Sequence, residues 1–240
     1  MTRLLLALWT LPGILLGLLL MLCGVLAGSV MAIFVPYTVW FYWIRPTLGG
    51  ALLLVLLRIP RITRDPAWDP MQPVVFVANH VSALDGNLST HVLRRPFAGL
   101  QNAGNFRIPI YGWLMTMGRG IPVPATGQDR YAGILKEGRV RIAEGLGILT
   151  YPEGHRTRDG RVGPFRTGSF RLARDLGVPI VPIAVAGLGK VFPKGSFFVQ
   201  PGTINVHIGA PIDTTGHDDD QLAELAETAR KRIADFVESH

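Results

Sequence analysis

The chain opens with an apolar run that carries no charged residue between Arg3 and Arg45. That run is about twice the roughly 20 residues a helix needs to cross a bilayer once. Gly13, Gly17, Gly24, Gly28, Ser29 and Pro36 interrupt it, so one straight helix is not expected. The pattern predicts two membrane-embedded helices with a break between Gly24 and Ser29. A further apolar stretch, Ala51 to Leu57, stops at Arg58. A cleaved signal peptide is the rival reading, but its apolar region would be only about 7–15 residues long.

Beyond the polar, turn-rich segment from Pro60 to Pro73, expected to be a linker with a short strand, the pattern changes. Val74 to Ala78 is a short run rich in β-branched residues that stops at Asn79-His80, the mark of a buried strand. A helix is expected from Ala83 to about Leu93, with Ser82 as its cap and Arg94-Arg95-Pro96 as its end. Strands follow at Phe97–Leu100, Ile121–Val123, Ile148–Tyr151 and Pro179–Val185, with helices at Asp129–Gly145 and Ser169–Leu176 between them. Phe197–Val199 and Thr203–His207, flanking Pro201-Gly202, read as a hairpin. The tail sets Leu222, Leu225, Ala226, Ala229, Ile233 and Val237 at helical spacing, a closing amphipathic helix. Such alternation predicts an α/β fold, a mostly parallel sheet with helices packed around it, plus the N-terminal membrane-embedded helix pair. The expected division is 1–58 as membrane anchor and 59–240 as the chemical domain.

Charge sharpens this division. The net charge is +7, of which the first 45 residues supply +2 and the tail from Asp213 onward −5, so the middle carries +10. Arg58, Arg61 and Arg64 directly follow the apolar segment, which argues for a cytoplasmic side. A basic face beside a membrane attracts anionic headgroups, so nucleic acid is not needed as a partner to explain the arginines. Apolar residues make up 48% of the chain and mean hydropathy is +0.31, with the excess at the front. The single Cys23 allows no internal disulfide, and no Cys/His cluster has metal-ligand spacing, so no metal is expected.

The candidate chemistry sits where strands end. His80 follows a strand and Asp85 falls in the first turn of the next helix, where open α/β sheets bind ligands. A carboxylate five residues after an imidazole can hold one ring nitrogen and leave the other as a general base. Ser82 between them is either a cap or acceptor contact, or a rival nucleophile without a Gly-x-Ser-x-Gly elbow. Tyr151-Pro152-Glu153-Gly154-His155-Arg156 repeats the layout of strand followed by polar turn. Glu153 either binds substrate hydroxyls or pairs with Arg156. Arg156 is the candidate phosphate contact, and Gly154 permits close backbone approach. His91, His155, His207, His217 and His240 lack a comparable setting.

Asn79-His80-x-Ser82-x-x-Asp85 and the Tyr151–Arg156 block together resemble the glycerolipid acyltransferase family, of the lysophosphatidate acyltransferase type. Its members carry Asn-His-x-Ser-x-x-Asp and then Phe-Pro-Glu-Gly-Thr-Arg. The resemblance runs from about Pro73 to Val185, and Phe165-Arg166-Thr167-Gly168 is similar to the family's Phe-Lys-x-Gly. It implies His80 and Asp85 as catalytic residues, with Asn79, Ser82, Glu153, Gly154, Arg156, Arg166, Thr167 and Gly168 at the substrates. It implies transfer of a fatty acyl chain to a lysolipid hydroxyl, by default that of 1-acyl-sn-glycerol-3-phosphate. The donor would be acyl-CoA or acyl-carrier protein as co-substrate, with no cofactor. Membrane lipids are the implied surroundings, at the cytoplasmic face of an inner membrane. Two departures supply a runner-up. Asn102 stands where the family usually has Lys, and Ala125 where it usually has Arg, which motivates a phosphate-free lysolipid, such as an amino-acid-based one, as the alternative acceptor unless Arg107, Arg119 or Arg130 substitutes. A membrane-bound esterase using the same pair, with water as acceptor, and a non-catalytic lipid-binding protein complete the alternatives.

Overall fold

The two N-terminal helices pack side by side because one of them presents almost no side chain along its inner edge. A computed structural model describes residues 3–56, 59–109, 111–157, 159–196 and 198–240. The expectations attached to Arg58 and Phe197 therefore lie outside the described residues. Helix α1 spans Arg3–Phe34 and α2 spans Tyr37–Leu56. The expected break between Gly24 and Ser29 does not occur; the chain turns at Val35-Pro36 instead. The physical reason is spacing. Thr10, Gly13, Gly17, Gly24 and Gly28 are all buried, three, four or seven residues apart, and so share one face of α1. A Cβ on Gly17 would lie 2.6 Å from a Val55 methyl and 3.1 Å from the Ala51 carbonyl oxygen of α2. These glycines are a close-packing stripe rather than helix breakers.

The outer face of α1 leaves Leu8, Leu15, Leu19, Leu26, Ile33 and Phe34 exposed. Thr10–Phe34 is the one described helical segment long and apolar enough to cross a membrane. Helix α2 differs. Its Phe41, Leu52 and Leu56 are buried in one cluster with Val74, Phe76 and Leu88, so it shares a core with the domain that follows. Arg45, expected to end the apolar run, lies inside α2.

The seven described strands form one sheet in the order β1-β7-β6-β2-β5-β3-β4. They are β1 (Arg61–Arg64), β2 (Val75–Ala78), β3 (Phe97–Asn102), β4 (Ile121–Val123), β5 (Gly147–Thr150), β6 (Ile180–Ala186) and β7 (Asn205–Ile208). All neighbours run parallel except β6 and β7. The sheet is therefore mostly parallel, as expected. Among the described residues the predicted hairpin around Pro201-Gly202 does not form. Strand β7 pairs with β6 and β1, while Val199 is buried and its N–H donates to Thr10 Oγ1 of α1 at 3.0 Å. That bond ties the start of α1 to the domain.

Alternation along β2 sends Val74, Phe76 and Ala78 to one face and Val75 and Val77 to the other. On the first face lie α2 and α3 (Asp85–Leu93). On the second lie α6 (Gly168–Leu176) and α8 (Asp219–Glu238), which bury Phe170, Leu172, Leu222, Ala226 and Ala229. The tail helix forms as its spacing predicts, opened by an Asp218–Gln221 capping box. The remaining helices are α4 (Tyr111–Met117), α5 (Arg130–Ala143) and the short α7 (Leu188–Val191). A single 3-10 turn, Ala103–Arg107, follows β3.

Replacing Gly17 with Leu should force α2 away from α1. Overpacking a well-filled contact costs about 1–3 kcal/mol, so the thermal unfolding midpoint of the detergent-solubilised protein is expected to fall, with Gly17→Ala showing a smaller effect.

Candidate active site

Strands β2 and β5 are neighbours in the middle of the sheet, and their successors leave in opposite directions. The chain after β2 passes through α3 on one face toward β3. The chain after β5 passes through α6 on the other face toward β6. A crevice opens where such connections part, at the carboxyl ends of the strands. Residues 79–85 and 151–156 occupy that crevice, so the two motifs converge as their layout predicts.

Asp85 organises the first turn. Its Oδ2 lies 2.6 Å from His80 Nδ1 and accepts the backbone N–H groups of Val81 at 2.9 Å and Ser82 at 3.0 Å. A carboxylate only accepts, so Nδ1 carries the proton and Nε2 is left with its lone pair. Nε2 has no hydrogen-bond partner among the described residues, and His80 lines a cavity of about 740 Å³. Asp85 is buried, 3% exposed, whereas the His80 side chain is 25% exposed, so the pair has one dry end and one open end.

The same bonds displace the predicted helix start. Helix α3 begins at Asp85, not Ala83, and no side chain caps it. Ser82 is not its cap. The Ser82 hydroxyl donates to the Phe192 carbonyl at 3.2 Å and accepts the Leu84 N–H at 3.3 Å. With its proton committed to a carbonyl, Ser82 has no base to activate it as a nucleophile.

Asn79 and Glu153, expected at the substrates, turn inward. Asn79 is fully buried, and its amide donates to the Val185 carbonyl at 2.9 Å and accepts the Val185 N–H at 2.8 Å, clamping β2 to β6. Glu153 accepts the His80 N–H at 2.8 Å and the Gly163 N–H at 3.1 Å. Burial pushes its carboxyl above the usual range, and those two N–H groups oppose the shift. Glu153 makes no ion pair with Arg156. Neither Asn79 nor Glu153 lines the cavity.

Arginines line it instead. Arg156, Arg166 and Arg130 all reach the cavity that His80 lines. The Arg166 guanidinium lies over Gly154, whose φ of +76° and missing Cβ leave room for it: a Cβ there would be 3.1 Å from Arg166 Cζ. Thr167 and Gly168 open α6, and Ser169 beside them reaches the lining. Asn102 and Ala125 line the cavity as well. Of the three arginines left open as substitutes, Arg119 is paired with Glu144, Arg107 is exposed in the 3-10 turn, and Arg130 is at the cavity. Arg130 is legible in retrospect as the first residue of the helix after β4, another strand with its carboxyl end in the crevice. Nothing local in the sequence marks Ser169 or Gln101, which also line it.

A second, apolar cavity adjoins the first, and Ala83, Gly86, Gln101 and Tyr111 line both. Its walls include Met21 and Gly24 of α1, Trp40 and Phe41 of α2, and Leu114 and Met115 of α4. The helix pair thus supplies part of the site.

A buried histidine–carboxylate pair at a sheet crevice, open to a cationic chamber and an apolar one, defines an α/β protein built for chemistry on an amphiphile. A family model described as Acyltransferase matches residues 60–186, more than half of the chain, and the chain belongs to that acyltransferase family. It is 35% identical over 166 residues to a chloroplastic 1-acyl-sn-glycerol-3-phosphate acyltransferase of Brassica napus, covering 69% of this chain and 46% of that protein. It is likewise 35% identical over 175 residues to one from Chlamydomonas reinhardtii, covering 72% and 52%. The chain spans about half the length of these relatives. The fold is shared with the crystal structure of the 1-acyl-sn-glycerophosphate acyltransferase PlsC from Thermotoga maritima. The TM-score is 0.72 over 99% of this chain and 97% of that one, at 21% identity.

Replacing Asn79 with Ala strands the Val185 N–H and carbonyl in the interior. Each unpaired buried group costs about 1–3 kcal/mol, so chemical denaturation should show a clear loss of stability, larger than for Ser82→Ala.

Proposed function

We propose that this protein transfers a fatty acyl chain from an acyl thioester to the free hydroxyl of a lysolipid, most simply 1-acyl-sn-glycerol-3-phosphate. The observation that carries this reading is the His80–Asp85 pair with its free Nε2 turned to a cavity that Arg130, Arg156 and Arg166 also line. In the reaction, Nε2 takes the acceptor's hydroxyl proton as the oxygen bonds the thioester carbonyl carbon. Asp85 stabilises the imidazolium that forms, and the departing thiolate then takes the proton. No acyl-enzyme is needed, in keeping with the engaged Ser82 hydroxyl. The donor, acyl-CoA or acyl-carrier protein, is a co-substrate, and the reading requires no cofactor.

The guanidinium groups suit an acceptor phosphate, which arginine binds in a bidentate manner. Arg130 offsets the absence of the basic side chains expected near Asn102 and Ala125, and this favours the phosphate-bearing acceptor over a phosphate-free lysolipid. The adjoining apolar cavity suits an acyl chain. Asn79 and Glu153 act by position, the first by locking β2 to β6, the second by holding the His80 backbone.

Residues 1–58 serve as the anchor for the domain of residues 59–240, with the exposed leucines of α1 in lipid and the catalytic domain at the cytoplasmic face of an inner membrane. An enzyme so placed avoids drawing a lysolipid into water, at about 0.8 kcal/mol per exposed CH₂.

Purified protein in detergent, assayed with lysophosphatidate and acyl-CoA or acyl-carrier protein, tests the reading. His80→Ala should lower turnover by about 10²–10⁴-fold, the usual worth of a general base; near-normal turnover would refute the mechanism. Replacing Arg130, Arg156 or Arg166 with Ala should raise KM for the acceptor more than for the donor. A phosphate-free lysolipid that outcompetes lysophosphatidate would transfer the assignment to that acceptor.

The anchor has its own test. The full-length protein should remain with membranes through high-salt and carbonate washing, whereas release by salt alone would leave only electrostatic attachment.

A further inference from the structure

Tyr151 follows β5 and stacks its ring on the His80 imidazole, with centroids 4.2 Å apart and planes inclined by 21°. The ring also lines the cavity, yet the hydroxyl is buried and has no hydrogen-bond partner among the described residues. Asp85 Oδ1, the carboxylate oxygen that does not face His80, is buried and unpartnered in the same way. Asp85 is close enough for its charge to act on the phenol. Burial first, and the Asp85 carboxylate beside it second, hold the phenol well above the ordinary tyrosine value, so it stays protonated and able to donate. Ser89 acts on the phenol as a hydrogen-bonding neighbour and partly opposes the shift, while its own hydroxyl donates to the Asp85 backbone carbonyl at 2.9 Å.

A buried hydroxyl without a partner lowers stability. Phenylalanine, the residue at this place in the block that the motif resembles, would fill the same space without that cost. Packing therefore accounts for the ring and not for the hydroxyl.

We infer that Tyr151 is a positioning residue of the His80–Asp85 pair: its ring holds the imidazole plane, and its hydroxyl is the hydrogen-bond donor to Asp85 Oδ1 in the working site. No hydrogen bond joins the two oxygens in this conformation; the pair closes when the carboxylate must balance the imidazolium. The inference rests on the reading of His80 as general base. A donor on Oδ1 spreads the carboxylate's charge and tempers its hold on the imidazolium. Without that donor the imidazolium is held more strongly, so the neutral base survives only at higher pH. The other charged or titratable groups around His80 are Glu153, which accepts its N–H, and Tyr111, Arg130, Arg156 and Arg166 across the cavity. All of these are unchanged in the variants below.

The test uses full-length protein in detergent with lysophosphatidate and acyl-CoA. Tyr151→Phe removes only the hydroxyl. It should lower kcat about 3–10-fold with KM within about twofold, and move the acid limb of the kcat/KM profile up by about half a pH unit. Its melting temperature should be equal or higher, because an unpaired hydroxyl has been removed. Tyr151→Leu removes the platform and should lower kcat about 10–100-fold at similar KM. A Tyr151→Phe protein with wild-type kcat and a superimposable pH profile overturns the inference. So does a Tyr151→Leu protein with raised KM and unchanged kcat, which would make the ring a substrate wall. His80→Ala separates the two levels. If it is inactive while Tyr151→Phe behaves as wild type, only the positioning role falls; if it stays active, the base itself was misassigned.

Discussion

One carboxylate oxygen holds the site together. Asp85 Oδ2 collects the His80 ring N–H and the Val81 and Ser82 backbone N–H groups, folding residues 80–85 into a single turn. Bonds to a charged acceptor are about twice as strong as neutral ones, and this one is dry, so the turn is held firmly around the His80 imidazole. The geometry also explains why α3 starts late: its first residue is spent on the turn rather than on helix capping.

Around that turn, support comes from elements far away in the chain. Glu153 grips the His80 backbone from the next strand, and its other oxygen accepts the Gly163 N–H, tying the loop before α6 to the same centre. Asn79 locks β2 to β6 one residue before the histidine. Two polar residues of the motifs thus serve the backbone and leave the cavity to arginines. The division is economical in electrostatic terms. A carboxylate lining the cavity would repel an anionic acceptor, whereas one buried on two N–H donors does not.

The helix pair belongs to this architecture rather than hanging from it. The glycine stripe of α1 admits α2 closely, α2 contributes Phe41, Leu52 and Leu56 to the core under the sheet, and both helices wall the apolar cavity next to His80. The exposed leucines of α1 give the opposite, outer face of that helix an apolar surface.

Local pattern in the sequence determined much of this. A β-branched run ending in Asn79-His80 can only be a buried strand leading into a polar turn, and the spacing to Asp85 follows from one change of chain direction. The repeated strand–turn layout at Tyr151 to Arg156 and the amphipathic tail were legible for the same reason: each depends on neighbours within a few residues. The tertiary structure alone decided the rest. The bonds of Glu153 to His80 and of Asn79 to Val185 join residues 73 and 106 positions apart, and no spacing rule encodes them. The glycines of α1 read as interruptions because their partner, α2, is not visible along the chain; only packing turns them into a contact face. Likewise Arg119 is claimed by Glu144 from another element, whereas Arg130 lines the cavity. Periodicity and motif order fix which element a residue sits on, whereas its partner is fixed by how those elements pack.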